Sequence, residues 1–476
     1  MTLRPTPVRR SSRLRRLAPL LGLLAVARPL VAQTAAPDRG TLVARLDSLV
    51  RAYRADGRTV GLTVGVVRGS DTLLLRGYGW ADSAARRSAE VATVYRIGSI
   101  TKQYTSAAIL QLIQDGKIAL TDTLGRFLPQ YPQWGRVTIR QLLGHTSGIH
   151  SYTANPTWAK RMADPFSADS LLAFVARDTF DFAPGTGYRY NNTGYFLLGQ
   201  VLERVSRTAY PELLRTRFFG PLGMRTATYC PDEPAAPVHS AVYDRTPAGI
   251  VPAQKISMTS PYAAGAVCLS VPDFLRWQTA LTGGRVVTPE TYARMTRSDT
   301  LANGNPTNYG WGLAPAMLGS HPMVQHGGDI PGGSAQQMWL PNDSLRVVVF
   351  TNTLGSGPGA LARNLAAAVV GEPLRSAPPA PREVALPSEL RDAVVGAYVL
   401  TGPGGKPLPL VVKLDGARLV AQPEGQGAMP LTYIGDDTFG VGLDAAIRLR
   451  FAREGGKVTR VTLLQGGQTI EGIRAP

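Results

Sequence analysis

Along residues 42–53 apolar side chains recur at helical spacing. Leu46, Leu49, Val50 and Tyr53 share one stripe, which predicts an amphipathic helix. Thr59–Val67 and Thr72–Tyr78 follow as two strands joined at Gly69-Ser70-Asp71. Ala107, Ala108, Leu110, Leu112 and Ile113 then predict a buried helix of about four turns, stopped at Asp115-Gly116. From Lys102 to Arg297 the pattern is mainly helical, with candidates at Ser167–Arg177, Thr193–Ser206, Tyr210–Phe219 and Val271–Leu281. Strand signals return at Tyr309–Leu313, Met323–His326, Ala335–Leu340 and Leu345–Thr351, and a helix at Ala360–Val370 closes the unit. Strands at both ends with helices between them predict an α+β domain over 38–371. Its simplest form is one antiparallel sheet, flanked by the terminal helices, with an inserted helical lobe.

Beyond residue 371 the pattern changes. Residues 372–387 are rich in Pro and Ala and read as a semi-rigid linker. From 388 to 476, strand candidates at Leu408–Leu414, Leu419–Gln422, Ile447–Phe451 and Val458–Leu464 alternate with turn pairs such as Asp415-Gly416 and Gly455-Gly456. That predicts a small all-β domain, barrel-like or a sandwich.

Composition narrows the setting. A chain of 476 residues with 44% hydrophobic content suits two domains and a large core. Its first 32 residues hold seven arginines and no acid, then an apolar run from Leu17 to Val31 ending at Ala32. This is the layout of a signal peptide, residues 1–32, and implies export to the periplasm or beyond; an uncleaved anchor is the alternative. Without that segment the formal charge falls from +18 to +11 and is spread along the chain, which argues against nucleic acid as a partner. No later stretch is long and apolar enough to span a membrane. Cys230 and Cys268 are the only cysteines; in an exported protein they can pair, or remain two small buried thiols. The five histidines lack metal-ligand spacing and there is no H-E-x-x-H, so neither metal nor cofactor is expected.

Ser99-Ile100-Thr101-Lys102, where a strand-like stretch meets the first buried helix, carries the candidate chemistry. Residues three apart share a helix face, so hydroxyl and amine would be neighbours. A serine is a poor nucleophile until a base takes its proton, and an amine held neutral by burial is such a base. The chain has 7 lysines against 44 arginines, so lysine is seldom used where any cation would serve. The plain alternative is that Ser99 caps the helix and Lys102 is solvated. Tyr190 and Asn192, two apart at a loop-to-helix junction, add a phenol whose pKa nearby cations could lower and an amide able to anchor a lysine. His326-Gly327-Gly328-Asp329, on a late strand, adds a place where an edge strand could offer an N–H to an oxyanion.

The order S-x-x-K, Y-x-N, then H-G-G resembles the serine β-lactamase and penicillin-binding-protein superfamily, in its class C-like branch. Gly144-His145-Thr146-Ser147-Gly148-Ile149, Leu222-Gly223-Met224 and Ala264-Gly265-Ala266 extend the likeness, and the tail resembles lipocalin-like modules appended to such hydrolases. The resemblance implies Ser99 as nucleophile, Lys102 and Tyr190 sharing proton transfer, and Asn192 orienting Lys102. It also implies His326 in place of a conserved cation, Gly327 and Gly328 lining the substrate, and the amides of Ser99 and Asp329 as the oxyanion hole. Its class C enzymes carry K-T-G in the third motif; a histidine there can be neutral, which favours small ester, amide or D-amino-acid peptide substrates over β-lactams. A β-lactamase and a non-catalytic binder of peptidoglycan fragments or penicillin are the rival readings. A nucleophile-elbow hydrolase is disfavoured because no G-x-S-x-G occurs.

Overall fold

A computed structural model describes residues 38–176, 180–233, 238–246, 249–375, 384–402, 407–416, 418–423, 428–441, 444–465 and 468–475. The expected signal peptide at 1–32 lies outside these residues, as do 376–383 of the expected linker and Arg177.

The terminal segments build the first layer. Helix α1 (Arg39–Ala55) buries Leu42, Leu46, Val50 and Tyr53, and Asp38 caps its first turn. The strands β1 (Gly61–Arg68), β2 (Asp71–Asp82) and β3 (Arg87–Ser88) follow. Four more come from the far end of the domain: β4 (Ala314–Leu318), β5 (His321–Ile330), β6 (Gly333–Leu340) and β7 (Leu345–Thr351). They form one seven-stranded sheet in the order β3-β2-β1-β7-β6-β5-β4. The expected antiparallel sheet built from both chain ends is therefore present, with β1 running against β7 in the register Leu62↔Thr351. Helices α1 and α5 (Pro358–Val370) cover one face, where Leu46, Val50, Leu361 and Leu365 meet Val64 and Val347.

The other face supports the inserted lobe. Its main helices are α2 (Lys102–Gln114), α3 (Asn192–Ser206) and α4 (Val271–Thr282). Helix α2 lies at the centre of the largest apolar cluster, with Tyr104 stacked on Trp277 at 4.0 Å. A disulfide joins Cys230 to Cys268 within this lobe. One expectation fails: Tyr309–Leu313 is not a strand, and β4 starts only at Ala314. Tyr309, Trp311 and Leu313 are all buried, but so are Gly310 and Gly312 between them, in irregular backbone pressed against α2. A Cβ at Gly312 would lie 2.8 Å from the Lys102 carbonyl.

The tail is a closed eight-stranded barrel, β8 (Gly396–Thr401) to β15 (Gln468–Arg474), with β8 paired to β15. A short helix, α6 (Ser388–Val394), precedes it and puts Leu390 and Val394 into the barrel core.

Candidate active site

Ser99 sits on a tight turn, Gly98–Thr101, that runs directly into α2. Gly98 has φ +50°, and a Cβ there would lie 2.9 Å from the Asp329 nitrogen. A Cβ at Gly328 would lie 1.9 Å from the Ile97 carbonyl oxygen and 3.1 Å from the Ser99 nitrogen. These two glycines let β5 touch the nucleophile's turn and bring Asp329 beside it. The strand is not an edge strand as a whole. Strand β4 pairs only with His321–Gln325, so from His326 to Ile330 β5 is paired on the β6 side alone.

Lys102 is 0% exposed, which removes the reading of a solvated first-turn lysine. Its Nζ lies 3.1 Å from Ser99 Oγ, 2.8 Å from Asn192 Oδ1 and 2.9 Å from the Ala264 carbonyl. No carboxylate is among these partners. Burial pushes the ammonium well below the usual lysine range. A neutral amine has two N–H donors and one lone pair. The amide and carbonyl oxygens can only accept, so they take both N–H groups and leave the lone pair for the Ser99 hydroxyl proton.

Asn192 begins α3, yet its side chain is not the cap. Asn191 caps the helix instead, accepting from the Gly194 N–H at 2.7 Å. The Asn192 amide nitrogen donates to Thr153 Oγ1 at 3.2 Å, which orients its oxygen toward Lys102. The Tyr190 ring lies against Lys102, 4.7 Å from Nζ to the ring centroid, and its hydroxyl is hydrogen-bonded to Ser99. Burial raises the Tyr190 phenol well above its usual range, against the smaller opposing effect of that bond. The expectation of a phenol acidified by cations is thus corrected: desolvation dominates and drives the phenol the other way. Tyr190 is a neutral hydroxyl, able to relay a proton between Ser99 and a leaving group.

His326 is buried with its Nδ1 2.5 Å from the Gly327 carbonyl and its Nε2 2.8 Å from the Tyr309 hydroxyl. A carbonyl only accepts, so Nδ1 carries the proton and Nε2 accepts from Tyr309. Burial, with Lys102 adding to it, lowers its pKa to about 4. The third motif is therefore uncharged at neutral pH. The Asp329 carboxyl accepts from Ser334 Oγ at 2.5 Å and is raised by desolvation.

Two participants escaped the sequence reading. Tyr309 lies in the segment expected to be a strand, and His145 in a run singled out only for its likeness. The His145 ring packs 4.4 Å from Tyr190 and 4.7 Å from Tyr309, and its Nδ1 accepts from the Asn191 N–H at 3.0 Å. His150 likewise hydrogen-bonds, its Nδ1 2.9 Å from Asp181 of a later segment. Among the described residues no cluster of His, Cys, Asp or Glu is arranged to hold a metal.

Comparison with known proteins follows the same lines. The Beta-lactamase family signature matches residues 46–372. A D-aminopeptidase of Cereibacter sphaeroides is 30% identical over 345 residues, which is 72% of this chain and 65% of that protein. One from Brucella canis is 28% identical over 328 residues, 68% of this chain and 62% of the relative. The chain thus spans less than two thirds of the length of these curated relatives. Among solved structures, a penicillin-binding protein homologue from Pyrococcus abyssi, described as octameric, superposes with a TM-score of 0.64 at 24% identity, covering 90% of this chain and 99% of that one. A D-stereospecific amidohydrolase from Streptomyces sp. gives 0.60 at 26% identity, covering 71% and 100%.

Proposed function

The chain belongs to the Beta-lactamase family, and from that premise we propose that it is an exported serine hydrolase that cleaves small amides and short peptides bearing D-amino acids through an acyl-enzyme on Ser99. The observation that carries this reading is the Lys102 lone pair, left free by Asn192 and Ala264 and facing Ser99 Oγ at 3.1 Å.

In the first half-reaction Lys102 takes the Ser99 proton and Oγ attacks the carbonyl carbon. The oxyanion is held by the amides of Ser99 and Asp329. As the carbon–nitrogen bond breaks, the proton passes through the Tyr190 hydroxyl to the departing amine. In the second half, water attacks the ester on Ser99, gives its proton to the same pair, and restores the hydroxyl as the acid leaves. The neutral His326 supports amides and peptides over β-lactams, whose carboxylate calls for a fixed cation. The D-configured substrate is supported by the D-aminopeptidases and the D-stereospecific amidohydrolase. Export is supported by the arginine-rich, then apolar, N-terminal segment.

A fluorophosphonate followed by peptide mass mapping tests the nucleophile, and the adduct is expected on Ser99. The nitroanilides of D-alanine and L-alanine and a chromogenic cephalosporin test the substrate. Turnover of the D-anilide above both others is expected; a cephalosporin rate far above it overturns the substrate, and an unlabelled Ser99 overturns the mechanism.

A further inference from the structure

The barrel is filled at one end and hollow at the other. In the filled end Phe451 packs against Tyr398 and Phe439, each with ring centroids 5.5 Å apart, and α6 seals it through Leu390 and Val394. The Tyr398 hydroxyl fastens that seal by donating to the Val394 carbonyl at 2.8 Å. The hollow end encloses a cavity of about 610 Å³, within the size range of ligand pockets. Leu410, Ala421, Met429, Val441 and Leu449 are among the residues of its wall. Tyr188, Arg189 and Tyr190 of the hydrolase domain complete the lining. Among the described residues Arg189 is the one charged group of that lining, and it is paired with Asp181 at 2.9 Å.

Protein interiors leave few voids larger than a water molecule, so a barrel needed only for support would be packed along its whole length. Here the empty half is apolar and abuts the ring that contacts both Lys102 and Ser99. Tyr190 is also 36% exposed, although its hydroxyl is enclosed beside Ser99. One face of the ring side chain thus belongs to the reacting centre and another to the barrel cavity.

Resting on the serine-hydrolase reading, we propose that the barrel lumen is the specificity pocket of the active site, taking an aliphatic or aromatic group of the substrate that extends past Tyr190 from the bond cleaved at Ser99. A ligand group held there gains by transfer from water, and the one charge among the described residues of the wall, Arg189, is already paired with Asp181. The pocket thereby selects substrates by the length of an apolar group.

Two ester series on the full chain test this. One lengthens the acyl group of nitrophenyl esters from acetyl to hexanoyl; the other lengthens the alcohol of D-alanine esters from methyl to hexyl. In one series kcat/KM is expected to rise about fourfold per buried methylene, and that series identifies the half of the substrate that reaches the barrel. Ala421→Phe, which fills the cavity, is expected to lower the rate on the longest member at least tenfold and to change the shortest less than twofold. Met429→Phe narrows the cavity from another strand and serves if the first variant does not fold. Flat rates in both series, with Ser99 labelled and the acetyl ester turned over, overturn the barrel pocket and leave the hydrolase standing. Equal loss on short and long esters in a folded variant also overturns it. An unlabelled Ser99 with no ester turnover removes the hydrolase reading and this proposal together.

Discussion

Asn191 and Asn192 divide two duties that a single amide at a helix start could not perform together. Asn191 Oδ1 accepts from the Gly194 N–H at 2.7 Å, and Asn192 Oδ1 accepts from Lys102 Nζ at 2.8 Å. Their substitution by alanine should separate accordingly. Asn191→Ala is expected to lower stability by about 1 kcal/mol or more through the lost cap, read by urea denaturation. Asn192→Ala is expected to lower kcat at least about tenfold, because a buried Lys102 N–H loses its acceptor and the amine its orientation. A larger stability loss for Asn192→Ala together with unchanged kcat would reverse the assignment.

The protonation of Lys102 is expected to set the acid limb of activity. Its folded pKa lies well below the lysine range, so the neutral form persists to lower pH than an ordinary amine would allow. As pH falls through that value the lone pair is lost and kcat/KM declines. Lys102→Ala is expected to cost about 10³-fold in kcat/KM and to abolish that limb, read as a pH–rate profile. A variant with the wild-type limb would place the titration elsewhere.

Gly328→Ala probes the approach of β5 to the nucleophile. The added Cβ would sit 1.9 Å from the Ile97 carbonyl oxygen, so the strand must move away from Ser99. A loss of about 10²-fold or more in kcat is expected, as for removal of one oxyanion donor. In Gly327→Ala the added Cβ meets nothing closer than the end of the Gln336 side chain at 3.2 Å, so β5 stays against the Ser99 turn and a smaller loss is expected, one that falls on KM through the substrate lined by Gly327.

The fold was legible wherever burial followed one period within one element. The stripe Leu46, Val50 and Tyr53 and the strand pair around Gly69 announce α1, β1 and β2 because each buries one continuous face. Tyr309-Gly310-Trp311-Gly312-Leu313 misled because its large residues alternate while all five are buried, the two glycines by close backbone approach rather than in a ladder. In the tail the strands Gly396–Thr401, Met429–Tyr433, Thr438–Val441 and Gln468–Arg474 were not read. They run only four to seven residues, too few alternations for the period-two signal to stand out. The three runs were legible because each holds its polar residues at fixed local spacing, and the fold brings Ser99, Lys102, Tyr190 and Asn192 together. Tyr309 and His145 reach it only through tertiary closure, and no local pattern marks them.

His326 gives stability a pH dependence. Its folded pKa of about 4 lies below the ordinary 6.5, so the unfolded chain binds the proton first. Stability from this group is intact above pH 6.5 and declines as pH falls, by about 3 kcal/mol at pH 4. His145 is lowered in the same direction by burial. In His326→Gln the slope of unfolding free energy against pH, from denaturant titrations between pH 4 and 7, is expected to be shallower. An unchanged slope would mean that His326 titrates alike in the folded and unfolded chain.

The Cys230–Cys268 bond closes a loop of sequence separation 38. By the chain-entropy argument such a loop is worth about 4 kcal/mol. Replacing both cysteines by serine is expected to lower the unfolding free energy by about 2–4 kcal/mol, while Ser99 labelling below the melting temperature persists. Loss of labelling in a folded variant would show that the bond shapes the site.

The central sheet also dictates an order of assembly. Strand β1 finds its partner β7 only at the far end of the domain; the Gly61 N–H meets Asn352 Oδ1 at 2.8 Å across a sequence separation of 291. A growing chain can lay down α2, with Ser99 and Lys102, long before that partner exists. Contacts of such separation close slowly, because the entropy of the loop must be overcome first. The amine and the hydroxyl are thus early in synthesis, while the sheet that carries β5 to the Ser99 turn is completed only once β7 has emerged to join β1 and β6.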